Sequence, residues 1–421
     1  MHKLLKLKNG LNCILAPLHE TEAVTVLVLV KVGSRYEANK INGISHFIEH
    51  LLFKGTKKRP TSLHLTKELD SLGAEYNAFT DKDHTGYYIK VHKRHLAQAV
   101  EVVSDMLFNP LFEEKEINRE RGVIIEEIKM YEDNPLMYIG DVLETAMYPN
   151  HPLGNRISGP QSNLRTITRK EIVDYYHKYY FTSNLMIGIA GNFTEAEGKV
   201  LAEKHFGQHK LGAVKDDFKK FSAKQNKLQI NIEARDSQQV QLALGFSAYK
   251  RTDPRIYPLS LLAVILGGSM SSRLFTAVRE KKGLAYFVRA STTLYEDVGG
   301  LDIQAGLDQT RLEAALKTIK EELIKIKQKG VSAEELKRAK EFLKGRMVLP
   351  LEDSARMIGW LLEQKLLTGK LEDLAEKIKK IDAVSVAEVN KAAKEVINFK
   401  KCSVGFMGLS VKPEVFQNIF K

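Results

Sequence analysis

The sequence predicts an α+β fold made of two similar halves, each an antiparallel-rich β-sheet covered by α-helices. Three observations lead to this prediction. Short runs with strand-like alternation are interspersed with longer runs of helical periodicity. The runs follow the same order in the first and second parts of the chain. With 421 residues, the chain is also long enough for about two or three ordinary domains.

The first half predicts a hairpin, a sheet and several helices. Asn9-Gly10 separates two strand-like runs and is a typical hairpin turn. The later runs alternate between the two-residue period of strands and the longer period of helices. In chain order they predict a strand over 23–33, a helix over 43–54, a second helix that ends near Gly73, strands over 74–80 and 85–92, and a helical stretch from His95 to Tyr131.

The second half repeats this order. It predicts a strand over 239–246, helical sequence with a glycine break over 259–283, strands over 284–292 and 299–307, and a long helical stretch from near Gln309. Three local pairs support an internal duplication, namely "LGAEY" with "GLAYF", "HLAQAV" with "RLEAAL" and "EEKEINRE" with "AEELKRAK". A charged, poorly patterned stretch lies between the halves. We therefore predict an N-terminal half over 1–210, a linker over 211–227 and a C-terminal half over 228–421.

Composition indicates a soluble globular protein, with 43% hydrophobic and 28% charged residues. Apolar runs such as "VTVLVLV" are far shorter than the roughly 18 residues that a membrane-spanning helix needs, so we expect no membrane partner. The N-terminus lacks the apolar core and cleavage site of a secretory signal, and we expect a cytoplasmic location. The net charge is +12, but the lysines are mixed with glutamates as on solvated helix faces. We therefore expect no nucleic-acid partner.

The two cysteines exclude a disulfide framework and a thiolate metal cluster. Cys13 and Cys402 are far apart in the chain, and each lies in an apolar, strand-like context. They are expected to be packed core thiols.

The stretch "ISHFIEHLLFKGT" places polar side chains on a largely apolar helix. At helical spacing the buried stripe consists of Ile44, Phe47, Ile48 and Leu51. His46, Glu49 and His50 share another face, because spacings of three and four residues return to the same side of a helix. Two imidazoles four residues apart can both bind one Zn²⁺, while the glutamate beside the second acts on water without being a ligand. This H-x-x-E-H order is the inverted zinc-peptidase motif, and the alternative is a packed or surface histidine pair without a metal.

A catalytic zinc site usually has three protein ligands, so one must come from elsewhere in the chain. The helical stretch "INRERGVIIEEIKMYEDNP" offers Glu120, Glu126 and Glu127. Glu120 and Glu127 are nearly two full turns apart and point the same way, so one can bind the metal while the other orients a ligand histidine. Spacing alone leaves Glu126 and Glu127 open as the ligand. The alternative for this acidic cluster is salt bridging to Arg119 or Arg121.

These residues resemble the pitrilysin/insulysin family of zinc peptidases and, within it, the processing-peptidase branch. The resemblance covers nearly the whole chain. It includes "LKNGLNCILAP", "GISHFIEHLLFKGT", "LGAEYNAFTDKDHTGYY", "ERGVIIEEIKMYEDNP" and, in the second half, "GGSMSSRLFTAVREKKGLAYFV". The resemblance implies that His46, His50 and Glu127 bind Zn²⁺, that Glu49 is the general base and that Glu120 supports the site.

The resemblance also implies roles away from the metal. Arg279 and Tyr286 match a pair that lies across the active site from the zinc and would hold the peptide and stabilise the oxyanion. The alternatives are that Arg279 pairs with a surface glutamate and that Tyr286 lies in a strand core. Asn77 and Ala78 match the edge strand on which an extended substrate adds as a further strand.

The expected function is that of a zinc-dependent endopeptidase acting on short or unfolded peptides. The family implies a clamshell with an enclosed chamber, formed by a homodimer of such chains, and a heterodimer with a related chain is an alternative. The competing hypothesis is a non-catalytic assembly or partner subunit with the same fold. The presence of Glu49 argues against it, because loss of the general base is the simplest route to an inactive relative.

Overall fold

The fold is built on two β-sheets, one in each of two units. A computed structural model describes residues 2–209, 212, 217–222, 225–235, 239–409 and 411–420. By contacts, the first unit comprises Met1–Lys129, Asn155–Lys219 and Leu349–Leu371, and the second comprises Met130–Gly154, Lys220–Val348 and Glu372–Lys421.

Strands and helices alternate along the whole chain. The strands are β1 (Lys3–Lys6), β2 (Asn12–Pro17), β3 (Ala23–Val30), β4 (Glu75–Thr80), β5 (Thr85–His92), β6 (Leu185–Gly191), β7 (Gln229–Ala234), β8 (Gln239–Ala248), β9 (Ala285–Leu294), β10 (Gly299–Asp308) and β11 (Cys402–Gly408). The helices are α1 (Ile44–Leu51), α2 (Ser62–Ser71), α3 (Leu96–Phe108), α4 (Glu114–Glu132), α5 (Pro135–Met147), α6 (Gln161–Thr166), α7 (Arg169–Tyr179), α8 (Glu195–Phe206), α9 (Ile256–Ala263), α10 (Leu312–Lys329), α11 (Ala333–Val348), α12 (Ser354–Thr368), α13 (Leu374–Ala383), α14 (Val386–Val396) and α15 (Pro413–Phe420).

Apart from β1, which has no counterpart among the described strands of the second sheet, the two sheets have matching strand orders. The first runs β1-β2-β6-β3-β5-β4 and the second runs β7-β11-β8-β10-β9. In each sheet one neighbouring pair is parallel, β2 with β6 and β7 with β11, and the other pairs are antiparallel. The predicted α+β class with two similar, antiparallel-rich halves is therefore confirmed.

Strand β3 shows why the first sheet needs helices on both faces. Its sequence, "AVTVLVLV", is rich in β-branched residues, and every residue after Ala23 is buried. Helix α3 packs on one face, and α12 packs on the other. On that second face Ile358, Leu361 and Leu362 of α12 meet Leu27 and Leu29 of β3. A strand buried on both sides loses the polar alternation of a half-exposed one.

The contact units are not contiguous in sequence. Residues 349–371, which include α12, belong to the first unit, and residues 130–154, which include α5, belong to the second. Helix α5 covers β8 and β11 of the second sheet. The predicted contiguous halves therefore differ from the contact units in these two segments, because each sheet takes one covering helix from the other part of the sequence. Much of the predicted linker, 211–227, lies outside the described residues.

Most predicted elements are present, with different bounds. The hairpin around Asn9-Gly10 joins β1 to β2 as predicted, and β5 has its predicted bounds. The predicted helix over 43–54 is shorter, and the stretch from His95 to Tyr131 is two helices, α3 and α4. The stretch over 259–283 contains α9 and two π-helical segments, Val264–Gly268 and Phe275–Glu280. Strands β6 and β7 were not predicted.

Both cysteines lie in strands and are buried and unpaired, as predicted. Burial raises the pKa of Cys13 to about 12, so its thiol is unreactive at neutral pH. Among the described residues, none of the helices combines the length and apolar character needed to cross a bilayer.

Candidate metal centre

Helix α1 begins at a backbone position that suits glycine alone. Gly43 has φ of +104°, and a Cβ there would lie 2.5 Å from the carbonyl oxygen of Ser158. The cap comes from Glu37, whose carboxylate accepts hydrogen bonds from the backbone N–H groups of Gly43 and Ser45 and from the side chain of Asn42, each at 2.8 Å. Burial raises the pKa of Glu37 to about 7, although these hydrogen bonds lower it. The first turn of α1 is therefore fixed from outside the helix.

The apolar stripe anchors α1 as predicted. All of its members, Ile44, Phe47, Ile48 and Leu51, are at most 2% exposed. His46 is almost buried as well, and Glu49 and His50 are partly exposed. The stripe therefore directs the three polar residues to one side of the core.

His46, His50 and Glu127 come together in the first unit. The Nε2 atoms of His46 and His50 lie 3.7 and 3.2 Å from Oε2 of Glu127 on α4. One nitrogen or oxygen from each of the three residues lies within 4.8 Å of the others. In the part of the chain that the structure describes, no other group of three His, Cys, Asp or Glu side chains is arranged in this way.

The three donors fit a zinc ion. Ligand atoms about 2.1 Å from a tetrahedral ion are roughly 3.4 Å from one another, close to the spacing of this group. Two imidazole nitrogens and one carboxylate oxygen form a known catalytic zinc set that leaves a position open. Oε2 of Glu127 is buried, faces both imidazoles and makes no well-oriented hydrogen bond with any described residue, as expected of an atom whose partner is a cation.

Glu120 lies behind His50, nearly two helical turns before Glu127 on α4. Its Oε2 lies 3.2 Å from Nδ1 of His50, and its Oε1 lies 2.7 Å from Nζ of Lys54. The carboxylate is nearly buried, with 3% of its side chain exposed. An acceptor at Nδ1 leaves the Nε2 atom of a neutral imidazole free for a metal. Glu120 thus fixes the ring that faces Glu127.

His46, His50 and Glu127 shift one another's pKa values. Burial, with the neighbouring His50, lowers the pKa of His46 to about 4. Burial also disfavours charge on His50, but its contacts with Glu120 and Glu127 outweigh this and raise its pKa to about 9. The contact with His50 lowers the pKa of Glu127. Without a metal, the group therefore contains a neutral His46, a protonated His50 and an ionised Glu127 at neutral pH.

Glu49 lies beside the ligand set and contacts a strand. The hydroxyl of Thr80, the last residue of β4, donates a hydrogen bond of 2.5 Å to Oε2 of Glu49. Burial raises the pKa of Glu49, and the Thr80 hydrogen bond and the charge of His50 oppose the rise. A carboxylate with a raised pKa is a better proton acceptor than an exposed glutamate.

The alternatives for the acidic cluster on α4 are not observed. Glu126 points to solvent, with 72% of its side chain exposed, and forms a salt bridge with Lys129. Arg119 pairs with Glu116, and Arg121 donates to the backbone oxygen of residue 167. Spacing left Glu126 and Glu127 open as the third ligand. The structure distinguishes them, since Glu127 faces the histidines and Glu126 does not.

Asn77 and Ala78 lie on β4 at the end of the first sheet. In the part of the chain that the structure describes, β4 pairs with β5 alone. The Oδ1 atom of Asn77 accepts the backbone N–H of Ala78 at 2.9 Å. One donor of the sheet edge is therefore occupied by a side chain of the same strand.

Arg279 and Tyr286 lie in the second unit. Arg279 is in the second π-helical segment, and its Cζ lies 4.7 Å from the ring centre of Phe275 and 5.8 Å from that of Tyr286. No salt bridge of Arg279 is present among the described residues. Tyr286 is 71% exposed at the start of β9 and is not in a strand core. The two alternatives proposed from sequence for this pair are therefore not observed.

Three contacts of the site were not predicted. Lys54, Thr80 and Glu37 each hold a residue of the site or the start of its helix. A signal existed for Thr80, because strand alternation places it on the same face as Ala78. Lys54 follows the end of α1, where helical spacing no longer applies.

Comparisons with known proteins match most of the chain to one family. Residues 13–161 match the family model described as Insulinase (Peptidase family M16), and residues 166–343 match that described as Peptidase M16 inactive domain. A Bacillus subtilis protein named as an uncharacterized zinc protease is 37% identical over 389 residues, covering 92% of this chain and 94% of that protein. One so named from Streptomyces coelicolor is 33% identical over 398 residues, covering 93% and 86%.

Solved structures share the fold. The crystal structure of a protease from Helicobacter pylori matches with a TM-score of 0.91 and 26% identity, covering 97% of this chain and 99% of that chain. A chain of Complex III2 from Candida albicans matches with a TM-score of 0.84 and 16% identity, covering 99% of each chain. The second likeness concerns the fold alone. From the matches over both halves and the zinc-protease relatives, the chain belongs to the insulinase family, peptidase family M16.

Proposed function

We propose that the chain is a zinc-dependent endopeptidase that hydrolyses short or unfolded peptides. The observation that carries the proposal is the convergence of His46, His50 and Glu127, with Glu49 beside them, in one partly buried group. The relatives named zinc proteases support zinc as the metal. In this proposal His46, His50 and Glu127 bind the ion, and Glu120 orients His50.

Zinc supplies two functions when it is bound, lowering the pKa of water toward about 7 and polarising the peptide carbonyl. The chain's own groups handle the proton. Glu49 accepts a proton from the attacking water and then delivers it to the leaving amine. Its raised pKa suits both transfers, because the shift strengthens the carboxylate as a proton acceptor and the protonated carboxyl group can then donate.

Arg279 and Tyr286 are proposed to bind the substrate and to stabilise the charge that develops on its carbonyl oxygen. The family resemblance supports these roles, and the exposure of Tyr286 leaves its hydroxyl available. A phenol hydroxyl can donate to an oxyanion, and a guanidinium can hold a carbonyl or carboxylate. Activity should then require both halves of the chain.

The edge strand β4 is proposed to bind the peptide backbone. A peptide that pairs with Asn77 and Ala78 gains main-chain hydrogen bonds whatever its side chains are. This mode favours extended peptides over folded proteins, because a folded protein seldom presents a free strand. It also fits a broad substrate class.

A comparison of three proteins tests the proposal. Wild type and Glu49→Gln should each bind about one zinc per chain, and cleavage of an unstructured peptide should fall by about 10²-fold or more in the variant. Glu126→Gln is the matched control, since Glu126 is exposed and lies outside the group. Its rate should equal that of wild type. Equal cleavage by wild type and Glu49→Gln would refute the proposed mechanism.

The competing function is that of a non-catalytic assembly or partner subunit. What favours it is the match of residues 166–343 to the family model described as Peptidase M16 inactive domain. It predicts a protein that binds no zinc and cleaves no peptide as purified. Zinc analysis of fresh wild-type protein therefore separates the two functions. The homodimer, the heterodimer alternative and the cytoplasmic location stay predictions from sequence.

A further inference from the structure

The strongest contact of Glu49 reaches it from the edge strand rather than from its own helix. Thr80 Oγ1 donates to Oε2 of Glu49 at 2.5 Å, a length typical of a hydroxyl bound to an ionised carboxylate. Thr80 is half-buried at the end of β4, and its own helix supplies Glu49 with no comparable donor among the described residues. The orientation of the proposed base therefore depends on where β4 ends.

The hydrogen bond also distinguishes the two oxygens of Glu49. Oε2 already accepts from the Thr80 hydroxyl, whereas no hydrogen bond to Oε1 is present among the described residues, so Oε1 has more acceptor capacity left for a proton. A rotation of the carboxylate would exchange the two oxygens, and the Thr80 hydrogen bond opposes this rotation. A general base is effective only when its accepting atom is held within hydrogen-bond reach of the proton it removes.

Thr80 lies on a strand that both contacts Glu49 and forms the free edge of the sheet. Tyr76, Ala78 and Thr80 share one face of the strand, and α1 packs against β4. On the inner side Thr80 is opposite Thr85 of β5. The outer side of β4 has no strand beside it in the described ranges. The same short strand thus holds the base and provides the free edge.

The edge is partly closed in the peptide-free chain. Asn77 Oδ1 accepts the Ala78 N–H, which lies two residues before Thr80. A carbonyl of an added strand has to replace Asn77 at this donor. The replacement joins β4 to a second strand, and a strand paired on both sides is more firmly held than an edge strand.

We propose that Thr80 is a positioning residue that couples peptide pairing on β4 to the orientation of Glu49. The inference rests on the proposed peptidase function and adds a way in which substrate length controls the rate. A long extended peptide fixes β4 and, through the Thr80 hydroxyl, fixes the accepting oxygen of Glu49. A short peptide that lacks the pairing residues reaches Glu49 without this effect. Binding energy from the remote part of the substrate then appears in kcat as well as in KM.

The test compares Thr80→Val with Thr80→Ser on two substrates. Valine keeps the shape and strand preference of threonine and removes the hydroxyl, while serine keeps the hydroxyl. The substrates are an unstructured peptide and a version shortened on the side that pairs with β4. Thr25→Val is the control, because Thr25 lies in the same sheet and bonds Ser354 instead of the site. Zinc content and kcat and KM for both peptides are measured.

We expect Thr80→Val to keep its zinc and to lose about tenfold in kcat on the long peptide, with little change in KM. The ratio of kcat for the long and short peptides should fall toward one. Thr80→Ser should restore both values, and Thr25→Val should match wild type. In a Glu49→Gln background, Thr80→Val should cause no further loss, since the two residues act as one unit.

Two results would overturn the coupling while leaving the peptidase function intact. One is a Thr80→Val enzyme with wild-type kcat on both peptides. The other is an equal loss on both peptides, because a static effect does not depend on substrate length. An inactive wild-type protein would instead remove the proposed function itself. Should Thr80→Val lose its zinc, Thr80→Ser and Thr80→Ala, which differ by one hydroxyl, provide the same comparison.

Discussion

The Nζ atom of Lys54 lies 2.7 Å from Oε1 of Glu120, the carboxylate whose other oxygen faces His50. Lys54, Glu120 and His50 therefore form a chain of contacts, and His50 is one of the proposed zinc ligands. The ammonium neutralises a nearly buried carboxylate and holds its orientation, which in turn holds the imidazole.

Loss of this support should weaken zinc binding. We expect Glu120→Gln to reduce zinc affinity by about 10- to 100-fold and Lys54→Met to reduce it by about tenfold, because the ligand His50 loses its fixed orientation. Competition with a chromophoric chelator measures the affinity. Lys57→Met is the control, since Lys57 is exposed three residues further along. Equal zinc affinities of Lys54→Met and Lys57→Met would show that the contact of Lys54 with Glu120 has no role in zinc binding.

Zinc binding should release a proton. At pH 7.5 His50, with its pKa raised to about 9, is protonated in the metal-free protein, whereas His46, with its pKa lowered to about 4, is already neutral. A metal needs a neutral imidazole, so about one proton leaves per zinc bound. Calorimetry in two buffers with different ionisation enthalpies measures the number. Heats that do not depend on the buffer would contradict this charge assignment.

The same shift sets the pH dependence of stability. The folded pKa of His50 lies above its ordinary value of 6.5, so its contribution to the metal-free protein is complete below pH 6.5 and is lost as pH rises through about 9. Zinc affinity changes in the opposite direction, because protons compete with the metal. The gain in melting temperature on adding zinc should therefore increase from pH 6.5 to 9. A constant gain over this interval would be inconsistent with the shift.

Gly43→Ala should destabilise the first unit. An alanine at this positive φ is strained, and its Cβ would lie 2.5 Å from the oxygen of Ser158. We expect a loss of about 3 kcal/mol or more in the free energy of unfolding. Gly73→Ala is the matched control, because Gly73 also has a positive φ, +61°, but has open space around a Cβ. Its loss should be only about 1 kcal/mol. Equal losses in thermal or urea unfolding would exclude the clash as the cause.

Arg59 should be a strong determinant of stability. Its guanidinium is 3% exposed and contacts Glu68 of α2 at 2.7 Å and, on α3, Glu101 at 2.5 Å and Asp105 at 2.8 Å. Arg59→Met removes the cation that three neighbouring carboxylates share, of which Glu101 alone keeps Lys58, and we expect a loss of about 3 to 5 kcal/mol. Lys58→Met, which removes an exposed contact with Glu101, should cost about 1 kcal/mol or less. Urea unfolding of both variants checks the difference.

Local patterns predict the elements whose faces differ in polarity. Strand β5 alternates and is predicted at its observed bounds, and α1 is predicted from its apolar stripe. Strand β6, "LMIGIAG", is buried throughout, so it lacks the alternation that identifies a strand. The sequence pattern predicts α3 and α4 as one helical stretch, because helical periodicity resumes at α4 after the break between the two helices.

The residues of the candidate metal site likewise fall into those that local spacing predicts and those that it does not. His46, Glu49 and His50 are recognised because they lie within one helix, where spacing determines the shared face. Glu127 lies on a different helix, and the choice between it and Glu126 depends on how α4 faces α1. Thr80 reaches Glu49 from a strand, and a contact between separate elements depends on the arrangement of the unit rather than on local periodicity.

The exchange of α5 and α12 between the two halves of the sequence has a consequence for dissecting the molecule. A fragment ending in the predicted linker contains all of β1 to β6 but lacks α12, so Leu27 and Leu29 lose the side chains that cover them. Such a fragment should aggregate when produced by itself, because these apolar side chains are exposed. Production together with the remaining piece should restore it, since the missing helix then arrives on a second polypeptide. Separately encoded pieces of this protein are thus expected to behave as complementing partners rather than as independent modules.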